Sequence, residues 1–96
     1  QTVSRPLSEV IGAVREAVAK HFPDRIIEHV DARRSQDEFG EPIVFVYCQV
    51  SSFEPRSDIK RYIGARDDLV RRLMPAEYPR LYVFDKADAM APIDIV

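Results

Sequence analysis

One cysteine, two histidines and three glycines are all that 96 residues contain of these types, and each scarcity removes a class of function. With Cys48 alone there is no intrachain disulfide framework and no CxxC pair to hold zinc or an iron–sulfur cluster. His21 and His29 lack the spacing of zinc ligands, so no metal is expected. The three glycines stand far apart, which excludes dinucleotide fingerprints and phosphate loops; a GxxG backbone clamp needs a second glycine beside Gly64. No cofactor is expected. An excess of either charge is also missing: 14 basic residues face 16 acidic ones, and nothing advertises a polyanion as partner. No stretch approaches the ~18 apolar residues of a membrane span, so no membrane association is expected. The longest apolar run, residues 43–48, is strand-sized. No basic segment followed by an apolar one opens the chain, which starts at Gln1 rather than Met. The single thiol fits a reducing compartment, and the cytoplasm is the expected location.

What is present describes a globular chain. The hydrophobic fraction is 46% and the charged fraction 31%, ordinary values for a folded protein. The length suits one domain over residues 1–96, which buries roughly two thirds of its unfolded surface.

Residues 4–22 are predicted to form a helix. Leu7, Val10, Ile11, Val14, Ala17, Val18 and Phe22 recur at helical spacing, Ser4 is placed to cap the first turn, Pro6 is tolerated within it, and Pro23 stops the helix. Residues 25–34 and 43–51 are predicted strands. The connection 35–42 holds Asp37, Gly40 and Pro42, so the two strands should pair as an antiparallel hairpin. A second helix is expected from Ser57 to about Leu73, with Ile59, Tyr62, Ile63, Leu69, Val70 and Leu73 as its buried stripe and Met74-Pro75 as its stop. Residues 81–84 form a short third strand, and the tail 85–96 reads as mostly irregular. The order helix, strand, strand, helix, strand predicts an α+β two-layer sandwich. Its mixed three-stranded sheet, in the order 1-2-3, should carry both helices on one face.

Splitting each strand by parity isolates the feature that bears on function. On strand two, Val44, Val46, Cys48 and Val50 share one side, while Ile43, Phe45, Tyr47 and Gln49 share the other. On strand three, Tyr82 and Phe84 oppose Leu81 and Val83. Two helices cannot cover both faces, and a wet reverse face should be polar. Burying a large aromatic is worth roughly 2–3 kcal/mol relative to exposing it, so a cover over Ile43, Phe45, Tyr47, Tyr82 and Phe84 is expected. A second copy of the chain is the first choice and another protein partner the second. The chain's own tail, through Met90, Ile93, Ile95 and Val96, is a third. The competing functional reading is a nucleic-acid or small-ligand module using the same face with Arg25, Arg33 and Arg34; the net acidity makes nucleic acid the weaker case.

Other constellations read as structural. His21 is placed to interact with helix-end carbonyls, and His29 shares a strand face with Asp31. Cys48, among valines, should be buried and inert. Arg66 projects into the apolar stripe of the second helix, which predicts an ion pair with Glu28 or Asp85, or an anion site shared with Arg33 or Arg34. Gly64, in mid-helix, suggests close approach of a neighbouring element. No nucleophile sits beside a base, and a non-enzymatic interaction domain is the expected function.

Overall fold

The computed structural model describes residues 5–86. Its elements are α1 (Leu7–His21), β1 (Ile27–Gln36), β2 (Pro42–Val50), α2 (Pro55–Leu73) and β3 (Tyr78–Asp85). β2 lies in the centre of the sheet, antiparallel to β1 and parallel to β3. This is the α+β architecture expected from the pattern of elements. No helix among the described residues is long and apolar enough to cross a membrane. The tail expectations for residues 87–96, and Ser4 as a cap, lie outside the described residues.

The apolar stripe of α1 is the one its spacing predicts: Val10, Val14, Ala17 and Val18 are buried. Its start differs, because Pro6 itself occupies the cap position and no side chain caps the helix. The hairpin is tighter than its polar composition suggested. Asp37 organises it: its Oδ1 accepts from the backbone N–H of Phe39 at 2.8 Å and of Glu41 at 2.9 Å. Gly40 supplies the positive φ of 81° that closes the turn. Ser35 and Gln36 are thereby drawn into the ladder opposite Ile43 and Pro42, and β1 begins only at Ile27.

α2 is rotated relative to the stripe that its isoleucines predicted. Asp58, Ala65, Leu69 and Leu73 face inward, while Ile59 and Ile63 are 47% and 38% exposed. The cause is close packing at small residues: the His21 ring of α1 lies against Gly64, and Ala65 beside it is fully buried. The first turn starts at Pro55 rather than Ser57, and the Asp58 carboxylate accepts from the Glu54 N–H at 2.8 Å. β3 is twice its predicted length and contains the buried Pro79, which an edge strand tolerates.

The core lies between the helices and one face of the sheet. Val44, Val46, Cys48 and Val50 of β2 are fully buried and cluster with Val10, Val14, Val18, Phe22, Leu69 and Leu73. The aliphatic parity set therefore faces the helices, and the aromatic set faces away.

Candidate functional site

The outer face of the sheet is a grid of three strands by four rows, fixed by the register. The rows read His29–Gln49–Phe84, Asp31–Tyr47–Tyr82, Arg33–Phe45–Arg80 and Ser35–Ile43–Tyr78. The irregularity in the ladder falls between Ile27 and His29, at one end of β1, so parity is preserved across the grid. Phe45, Tyr47, Tyr82 and Phe84 are all partly exposed, whereas Ile43 is only 8% exposed.

The rings are organised among themselves. Tyr47 and Tyr82 stack with centroids 5.2 Å apart and planes 13° from parallel, and Phe45 lies 6.5 Å from Tyr82 at 20°. The ring faces of Tyr47 and Tyr82 are thus turned toward each other, which leaves less π-surface for an incoming base than a sheet with flat-lying rings. Beyond the last row, the hairpin carries Phe39, 80% exposed. With Phe45, Tyr78, Arg80 and the acids Glu38 and Glu41 it borders a half-open groove of about 530 Å³.

The grid carries Arg33 and Arg80 against Asp31, and Glu28, beside it at the irregularity of β1, makes the charges two of each sign. The side chains of Arg33 and Arg80 make no hydrogen bond or ion pair among the described residues. Asp31 accepts from the Ala32 N–H through Oδ1 at 2.9 Å, and Glu28 accepts from Gln49 at 3.0 Å. Arg80 was not foreseen from the sequence, because the predicted third strand began one residue after it.

Parity also separates the arginines that sequence reading grouped together. Arg34 points to the helical side and grips Glu77 with Nε and Nη2 at 2.9 and 3.0 Å. Arg5 adds a contact to the same carboxylate at 3.3 Å. The Glu77 side chain is fully buried, and the Arg34 guanidinium holds its carboxyl below the usual range against the opposing effect of burial. Arg25 reaches Asp58 at 2.9 Å and the Ser52 carbonyl at 3.2 Å, again away from the aromatic rows. Of Arg25, Arg33 and Arg34, only Arg33 lies on the aromatic face. Arg66 is a correction: rotation of α2 leaves its side chain 40% exposed, beside Asp67 at 3.5 Å. Glu28 and Asp85 are engaged elsewhere, with Gln49 and the Phe53 N–H.

Glu77 and Asp58 are the buried acids that sequence reading missed. The parity of Arg34 with Val30 and Ala32 was the available signal, since a guanidinium on the core side demands a carboxylate. His21 likewise finds a carboxylate instead of carbonyls, with Nε2 2.7 Å from Asp68 Oδ2. Cys48 is buried, and desolvation pushes its thiol up to about 11, away from nucleophilic use at neutral pH. No group of three or more potential metal ligands occurs among the described residues. Comparison of the chain with protein-family models, curated proteins and solved structures gave no match.

Proposed function

We propose that this chain works by association through the outer sheet face, and that the occupant of that face is a second copy of itself. The observation that carries the reading is the block of Phe45, Tyr47, Tyr82 and Phe84 on the side of the sheet that the helices leave uncovered. Interface cores are enriched in such aromatics, and twofold homodimers are the commonest assemblies. The balanced charge supports a self-matching surface, since a face carrying Arg33, Arg80, Asp31 and Glu28 can meet its own copy without net repulsion. A grid of three strands by four rows belongs to the small size class of interfaces, so the dimer is a weak one that dissociates on dilution. Cytoplasmic location is part of the same proposal and rests on the single unpaired thiol.

Light scattering on the full chain at rising concentration tests this. The mass should approach that of two chains, and Phe45→Glu should return it to one. Circular dichroism of the variant checks its fold, and Ile63→Glu on the exposed side of α2 should leave the mass of two chains intact. Loss of the dimer by Ile63→Glu instead of Phe45→Glu would move the association surface to the helical layer. A monomer that binds oligonucleotides with steep salt dependence would favour the nucleic-acid reading.

A further inference from the structure

We infer that the two copies meet with their strands antiparallel, about a twofold axis that runs across the strands midway between the Asp31 row and the Arg33 row. This rests on the proposed association and specifies its geometry. In the aligned class of sheet packing, facing strands lie within about 30° of each other, and a twofold axis between such sheets runs either along the strands or across them. An axis along the strands keeps each row at its own height and lays β1 over the partner's β3. Arg33 then stands over the partner's Arg80, because the two share a row through Phe45. Both are without an ion-pair partner among the described residues, so two like charges are pressed together on each side of the axis.

An axis across the strands lays β1 over the partner's β1 and reverses the order of rows. Its position is then set by charge. Placed on the Asp31 row, it sets that carboxylate against the partner's Asp31. Placed on the Arg33 row, it opposes Arg33 and Arg80 to their own copies. Midway between the rows, every central contact is favourable. Asp31 meets the partner's Arg33, Tyr47 meets the partner's Phe45, and Tyr82 meets the partner's Arg80, a cation over a ring. The same axis centres all four rows and brings Phe84 over the partner's Tyr78. Asp31 has an oxygen to give, since only Oδ1 is used by the Ala32 N–H.

Charge exchange on full-length protein, read by sedimentation velocity over a concentration series, tests the geometry. Asp31→Arg and Arg33→Asp should each raise the dimer Kd by at least about tenfold, since each creates a like-charge contact twice per dimer. The Asp31→Arg/Arg33→Asp double variant should return to within about threefold of the original value, because the exchanged charges again face each other. Both positions are exposed on an edge strand, and thermal melts verify that the single variants keep the fold. A tighter dimer in Arg33→Asp, or a double variant as weak as the singles, overturns the crosswise axis while leaving the dimer itself standing. A wild-type chain that stays monomeric throughout overturns the association on which the axis depends.

Discussion

A methyl group at position 64 would lie 2.6 Å from Cε1 and 2.7 Å from Nδ1 of His21. The imidazole that occupies this space is held by Asp68, which Lys20 and Arg71 also approach. His21 and Gly64 are therefore coupled across the α1–α2 contact, and a substitution at one depends on the other. Glycine in a helix costs about 1 kcal/mol against alanine, so Gly64→Ala would stabilise α2 if nothing stood in the way. In the wild-type background it should destabilise, because the ring must swing off Asp68. In a His21→Ala background the same change should stabilise by about 1 kcal/mol. A double-mutant cycle of urea midpoints checks this; equal effects in the two backgrounds would mean the ring does not hold its place.

At the scale of elements, the connection between α2 and β3 is secured by a buried acid. Glu77 receives Arg34 from β1 and Arg5 from the segment before α1, so one carboxylate joins three separate parts of the chain. Its carboxyl is held below its ordinary value of 4.5, with the Arg34 hydrogen bond the largest cause. A depressed folded value gives stability that is present above the unfolded value and lost as pH falls through the folded one. Urea midpoints should therefore be steady near neutrality and begin to fall as the pH drops below the ordinary value of 4.5 toward the lower folded one. Glu77→Gln should lower stability at pH 7 by about 3 kcal/mol, the low end for a broken buried pair because both arginines remain partly solvated. The acid-side slope should shrink with it. An unchanged slope would show that Glu77 titrates alike in the folded and unfolded states.

The element order, the hairpin, the central position of β2 and the stripe of α1 were legible because each follows from local periodicity and turn chemistry. The rotation of α2 was not. Ile59 and Ile63 dominate any count of apolar residues, whereas the buried face is set by Gly64, Ala65 and an ion pair to Arg25, features that depend on a neighbouring element. The aromatic side of the sheet was legible from the parity of β2, since no other arrangement separates Val44, Val46 and Val50 from Phe45 and Tyr47. Arg80 was missed because the alternation of β3 was followed only from Leu81, and Pro79 reads as a stop unless the strand is known to be at an edge.

For the whole molecule, the two layers leave a surface on which a block of aromatic side chains from β2 and β3 stands beside the polar outer side of β1. The helices bury the aliphatic side of β2 and leave Ile27, Ala32 and Val83 on the flanking strands partly covered, and the opposite side presents stacked rings among charged side chains of both signs. A surface of this kind is stabilised by a matching apolar surface more than by a polyanion, because Asp31 and Glu28 offset Arg33 and Arg80. Among the described residues the helical layer offers Ile59 and Ile63 as a rival patch, with Met74 at the end of α2.

The most direct measurement is an isotope-filtered NOE spectrum of an equal mixture of labelled and unlabelled chains at high concentration. Contacts between copies should arise from the ring protons of Tyr47, Tyr82 and Phe84, with none from Ile59 or Ile63. Intermolecular signals confined to α2, or a complete lack of them in a sample of dimeric mass, would contradict a second copy seated on the outer sheet face.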